Sequence, residues 1–154
     1  WVEEHFALAP LLDDDALIGA ADEGLDDHAL RELKQAFLAT PWSDRVPYAV
    51  EVGFAVVLGG RAVRGRIDAV YQLSPGEPDG CRWHVIDWKT GSEPADPLQL
   101  AIYRAAWAQR CGCPPEQVRA SFLTVRTGAL LTPADLPDGT ALDILLTAGA
   151  AAAG

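Results

Sequence analysis

The alternation of hydrophobic and polar positions changes period several times along the chain, and each change predicts an element. In "HALRELKQAFL", residues 28–38, Leu30, Leu33, Phe37 and Leu38 recur at helical spacing, with Asp26 or Asp27 placed to cap the first turn. The first forty residues read as helical. Pro41 closes them, because the residue before a proline is pushed out of helical geometry. Two strand-like runs follow, "YAVEVGFAVVL" (48–58) and "RAVRGRIDAVYQL" (61–73), and the Gly59-Gly60 between them signals a tight hairpin. "SPGEPDG" (74–80) is a loop, "RWHVIDWK" (82–89) a third strand and "TGSEPADP" (90–97) a turn. In "LQLAIYRAAWAQRC" (98–111), Leu98, Ala101, Ile102, Ala105 and Ala106 form the packing face of a helix, and "VRASFLTVR" (118–126) is a fourth strand. A Pro-rich loop and a weak helix in "TALDILLTAG" (140–149) complete the chain. This order predicts an α/β sandwich built on a mixed sheet of about four to five strands. There is no internal repeat and no sign of a second domain.

Composition agrees with one soluble domain. A chain of 154 residues buries roughly 70% of its unfolded surface, and 49% apolar with 22% charged residues is ordinary for a globular protein. No run approaches the ~18 uninterrupted apolar residues of a membrane helix. Glu3, Glu4 and His5 stand where a secretory signal would carry basic residues, so the expected location is cytoplasmic. The chain has no methionine and opens "WVEEHF", which reads as a piece cut from a longer polypeptide. Cys81, Cys111 and Cys113 cannot all pair, and "CGC" has the wrong spacing for a metal knuckle, so reduced thiols are expected.

Charge changes the picture more. Of a net −10, residues 1–40 hold −8 (ten acids against Arg31 and Lys34) and the rest −2. So acidic a chain cannot rely on charge alone to hold nucleic acid, because lysines and arginines on phosphates supply most non-specific affinity. A nucleic-acid substrate would have to be delivered.

Against that background "VIDWKTG" (85–91) stands out, since it sets Asp87 and Lys89 in a strand otherwise rich in Val, Ile and Trp. Side chains alternate across a strand. Arg64, Arg66, Asp68 and Val70 therefore share one face, with Val63, Ile67, Ala69 and Tyr71 opposite; Trp83, Val85, Asp87 and Lys89 share one face, with His84, Ile86 and Trp88 opposite. If the two strands are neighbours, Asp68, Asp87 and Lys89 converge near one edge. Two carboxylates and one ammonium are costly to bury unless paired or bound to a cation. Oxygen ligands without His or Cys favour Mg²⁺ or Mn²⁺, and a neighbouring lysine suits phosphodiester hydrolysis. A buried Asp–Lys salt bridge beside an unrelated strand-end Asp accounts for the same spacing equally well.

Three motifs, "GRIDAVYQ", "VIDWKTG" and "QLAIYRAAWA", occur in an order and spacing that resemble the RecB-family branch of the PD-(D/E)XK nucleases, most closely the C-terminal nuclease domain of bacterial UvrD-like helicase–nucleases. The resemblance covers roughly residues 30–126 and implies a restriction-endonuclease-like core. It further implies that Asp68 and Asp87 bind a metal, that the Trp88 main-chain carbonyl completes the shell, and that Lys89 is catalytic. The family's "QxxxY" helix maps onto Gln99 and Tyr103, and "VPYAVEVGF" is similar to the strand before "GxxD", with Glu51 at its acidic position. Many relatives carry a further metal-binding His on a helix before a stretch like "WVEEHF"; that residue would precede Trp1, and His5 is a substitute in a doubtful register. The cysteines do not match the iron–sulfur pattern of some relatives, so no cluster is expected.

Arg64 and Arg66, on the face of Asp68, are candidates for phosphate contacts, though exposed hairpin arginines are common. Trp83, Trp88 and Trp107 read as core, and Thr90-Gly91 as the turn that ends a strand rather than a phosphate cradle. The resemblance implies a Mg²⁺- or Mn²⁺-dependent DNA nuclease (46–126 its core, 1–40 an acidic helical region, 127–154 a tail) supplied with single strands by a helicase motor, for which a tether replaces intrinsic affinity. A catalytically degenerate copy that guides DNA or supports a helicase is the alternative, and a protein-interaction domain using the acidic helical face is a third.

Overall fold

The computed structural model describes residues 27–91 and 95–152. The acidic stretch 1–26, with His5 and Asp26, lies outside the described residues, as do Ser92, Glu93 and Pro94 of the turn after the third strand. Helix α1 spans Asp27–Leu38, strands β1 and β2 Ala49–Leu58 and Arg61–Gln72, and β3 Trp83–Lys89. Helix α2 (Pro97–Cys111) crosses over to β4 (Val118–Thr124); a short β5 (Ala129–Leu131) and helix α3 (Gly139–Ala152) follow. The sheet order is β1-β2-β3-β4-β5, with β3 and β4 parallel and every other pair antiparallel. This is the expected mixed α/β sheet, at its five-strand limit.

The hairpin turn is where the two glycines place it. Gly59 and Gly60 both have positive φ (57° and 73°), the geometry of a two-residue turn whose twist matches the flanking strands. Helix α2 starts on an Asp96 side chain that accepts from the Leu98 amide at 2.9 Å. It stops at a left-handed Gly112, with the Cys113 amide reaching back to the Ala108 carbonyl.

Strand β3 is buried along both faces. Its Val85 belongs to a core shared with Leu100, Ala101 and Trp107 of α2 and Leu142 of α3. Its Ile86 and Trp88 belong to a second core with Leu33 and Phe37 of α1 and Leu123 of β4. Helices on both sides explain why this strand reads as an apolar run rather than an alternation, and why Asp87, only 4% exposed, is conspicuous within it. Trp88 and Trp107 are core residues and Trp83 packs edge-on against Trp107. Cys81, Cys111 and Cys113 are all free thiols.

Four details differ from the sequence expectations. Leu38 is 51% exposed, because α1 ends there and Thr40 turns back, its hydroxyl donating to the Phe37 carbonyl at 2.8 Å. The buried face of α2 is broader than predicted, taking in Leu100, Trp107 and Ala108, because β3 and β4 pass beneath the helix while the hairpin and α3 flank it. Ile67 packs with Val52 and α2 rather than with Ala69 and Tyr71, so the packing side of β2 changes at Asp68. Strand β5, within the supposed loop, is three exposed residues long, too short to produce a periodic signal.

His84 is the buried polar group whose state matters most to this core. Its Nε2 lies 2.7 Å from Ser121 Oγ, which lies 2.7 Å from Thr132 Oγ1. Burial, with the charges of Arg119 and Arg45 adding, pushes its pKa down from 6.5 to about 3. A histidine kept neutral by the fold contributes stability that is complete above its unfolded pKa and is lost as pH falls below 6.5. The loss should run at about 1.4 kcal/mol per pH unit between 6.5 and about 3. Urea melts at pH 7 and pH 5 check this: the parent should lose about 2 kcal/mol more over that interval than His84→Gln. Equal losses would show that His84 is protonated in the fold.

Candidate active site

Strands β2 and β3 bring the charged residues together at the point where their pairing stops. The ladder runs from Gln72↔Trp83 to Ala69↔Ile86, so the next positions in register are Asp68 and Asp87. Two carboxylates directly across a sheet repel, and the backbone ladder is replaced there by a side chain. Asp68 Oδ2 accepts the Trp88 amide hydrogen at 2.9 Å. One residue further, the Lys89 carbonyl accepts from the Val125 amide on the opposite edge at 3.0 Å.

Lys89 lies two residues beyond Asp87, on the same face by strand alternation, and its Nζ sits 2.9 Å from Asp87 Oδ2. Their side chains are 14% and 5% exposed, so this is a largely desolvated ion pair. The Lys89 ammonium also lies 5.1 Å from the centre of the Phe122 ring, and Phe122 pairs with Asp87 across β3 and β4. Phe122 was not a sequence candidate, because no local signal discloses which β4 residue the parallel register sets beside Asp87.

Asp68 is the strained ionisable group. Burial first, and the negative charge of Asp87 second, push its pKa from 3.8 up to about 6, against the Trp88 hydrogen bond, Arg66 and Lys89, which act the other way. Helix α2 adds Tyr103, whose hydroxyl accepts from Gln99 Nε2 at 2.9 Å. Burial raises the Tyr103 pKa, and the negative charges of Asp87 and Asp68 raise it further, against the Gln99 hydrogen bond. The Tyr103 ring is braced edge-on by Phe54 at 5.7 Å. Asp68, Asp87 and Lys89 thus lie together where β2 and β3 stop pairing, and Gln99 and Tyr103 pair with each other on α2. Glu51 and Arg66 form an ion pair (3.2 Å) at the rim, and Arg64 is exposed on the same strand.

One ammonium against two carboxylates leaves surplus negative charge in a half-buried setting, and the donors are all oxygens. This set fits a hard divalent cation. Among the described residues there is no grouping of three His, Cys, Asp or Glu side chains, so a cation here would rest on two carboxylates and main-chain or solvent oxygens.

Comparison with known proteins places the chain in a nuclease superfamily. The chain matches the family model described as the PD-(D/E)XK nuclease superfamily over residues 2–143. It is 36% identical over 80 residues to the Gene 69 protein of Mycobacterium phage D29, covering 52% of this chain and 28% of that protein. It is 35% identical over 95 residues to the Gene 69 protein of Mycobacterium phage L5, covering 60% and 31%. The chain therefore spans only about a third of the length of these curated relatives.

The two carboxylates should respond oppositely to neutralisation. A raised carboxyl pKa means that ionised Asp68 opposes folding above about pH 6, a cost that fades as pH falls toward 3.8. Without added metal at pH 7, Asp68→Asn should keep an acceptor for the Trp88 amide and raise stability by about 1–2 kcal/mol. Asp87→Asn strands a buried ammonium and should cost about 3 kcal/mol. Thermal melts in chelator compare the three proteins, and destabilisation by both substitutions would show that Asp68, too, is needed as an anion.

Proposed function

Because the chain belongs to the PD-(D/E)XK nuclease superfamily, we propose that it is a divalent-metal-dependent nuclease domain with DNA as substrate, centred on Asp68, Asp87 and Lys89. The observation that carries this reading is the convergence of these side chains where β2 and β3 part, with Asp68 anchored on the Trp88 amide rather than neutralised by the lysine. A bare salt bridge between Asp87 and Lys89 accounts for those two residues but not for a second buried carboxylate pushed up to about 6.

On this reading Asp68 and Asp87 hold Mg²⁺ or Mn²⁺. The Trp88 carbonyl is a third donor, because the N–H and C=O of one strand residue point to the same edge, and the Trp88 amide points to Asp68. The cation supplies Lewis acidity toward the phosphate oxygens. Lys89, held in place by Asp87 and the Phe122 face, presents a positive charge to the phosphate as it gains charge in the transition state. Tyr103, held by Gln99, orients the substrate.

The net charge of −10 supports the further proposal that DNA is delivered rather than captured. A helicase motor carried with this domain, acting in DNA end processing or repair, would raise the local concentration of single strands. Matching only about a third of each phage relative is compatible with a domain that works inside a larger protein.

The chemistry is tested at Lys89. Lys89→Ala should lower cleavage of single-stranded DNA by on the order of 10²–10³-fold, assayed on the intact protein with Mg²⁺ or Mn²⁺. Equal cleavage by parent and variant would remove Lys89 from the reaction. An inactive parent would leave the non-catalytic, DNA-guiding module as the better account.

A further inference from the structure

Glu51 has a backbone unlike that of every other non-glycine residue among those described: its φ is +50°. Left-handed geometry costs a residue with a Cβ roughly 1–2 kcal/mol. The position is telling. Val50 pairs with Ala69 and Val52 with Ile67, which leaves Glu51 across from Asp68 with no pairing between them. On its other edge β2 stops pairing at Ala69. Asp68 therefore sits where both ladders lapse, and the packing side of the hairpin changes at the same point. Val50 and Ala69 pack toward α1, whereas Val52 and Ile67 pack toward α2 and α3.

The Glu51 carboxylate lies 3.2 Å from Arg66 Nη1, with the two side chains 40% and 49% exposed. An exposed pair of this kind contributes at most about 1 kcal/mol to stability. That does not offset the backbone cost, so stability is not a sufficient reason for the arrangement. What the pair does is hold a guanidinium close to Asp68, at the point where the hairpin changes its packing side. Arg66 is two residues before Asp68, hence roughly 7 Å along the strand, and its charge acts on both Asp68 and Tyr103. Glu51 engages it through a single nitrogen, and a guanidinium has five N–H donors in a rigid fork suited to phosphate.

We propose that Arg66 is a phosphate-binding residue of this site, contacting the phosphodiester next to the one that reaches Asp68, and that Glu51 is a positioning residue that aims it. The ligand class is single-stranded nucleic acid, bound through its backbone. The inference rests on the nuclease reading for its substrate but is tested by binding rather than cleavage.

The experiment uses the 154-residue chain carrying Lys89→Ala, so that the probe survives, and measures anisotropy of a fluorescent single-stranded oligonucleotide in Mn²⁺ over a series of salt concentrations. Adding Arg66→Ala should weaken binding about 10-fold and reduce the slope of log affinity against log salt by about 1. Glu51→Gln should weaken binding about 3-fold alone and change nothing once Arg66 is alanine. Glu51→Gly should match Glu51→Gln in binding while melting higher, since glycine adopts φ +50° freely. Unchanged affinity and slope in Arg66→Ala, or absence of oligonucleotide binding, overturns the proposal. Tighter binding by Glu51→Gln overturns the positioning role, because Glu51 would then mask Arg66. Cleavage by the Lys89-containing parent is scored separately, so an inactive parent with Arg66-dependent binding refutes the nuclease reading alone.

Discussion

The hydrogen bond from the Trp88 amide to Asp68 Oδ2 is the contact on which the site depends. An antiparallel pair ordinarily satisfies its amides with carbonyls of the neighbouring strand. Here the ladder between β2 and β3 ends at Ala69↔Ile86 and a carboxylate takes the next amide. That substitution satisfies a backbone donor that would otherwise be orphaned and fixes one acid against β3. It leaves both acids at the first register positions beyond the end of the pairing. A continuous ladder would press Asp68 and Asp87 directly together.

The rest of the fold serves to keep that divergence rigid and partly dry. Strand β3 is clamped between α1 on one face and α2 with α3 on the other, so Asp87 and Lys89 have little freedom to swing toward water. Low exposure strengthens every charge interaction within the group. It is also why Asp68 is held partly toward its neutral form near neutral pH. The same burial leaves the two acids with surplus negative charge that a small cation would offset.

Charge also divides labour along the chain. The described core is close to neutral while the first forty residues carry −8 of the net −10. Basic groups on β2 and β3 are few: Arg61 and Arg64 are exposed, Arg66 is tied to Glu51 and Lys89 to Asp87. A surface with so few cations attracts a polyanion from solution only weakly.

Period-2 alternation and glycine placement were enough to read the hairpin, the buried third strand, the crossover helix and the shared face of Asp87 and Lys89, because these follow from backbone geometry within one element. The motif spacing pointed to the PD-(D/E)XK nuclease superfamily, which the comparison shows, and to its RecB-family branch, which the comparison does not reach. What lies between elements was not legible. Phe122 beside Lys89 depends on a parallel register set by α2 and its loops, and β5 is three residues of edge pairing with no period of its own. Nothing in "AVEVG" announces a left-handed Glu51, since its neighbours alternate as an ordinary strand does. The sequence by itself determined where the strands and the crossover helix lie and that β3 carries Asp87 and Lys89 on one face. Only the tertiary structure decided where the ladders stop, because that is a competition between strands for the same amides, and here the Asp68 carboxylate wins the Trp88 amide.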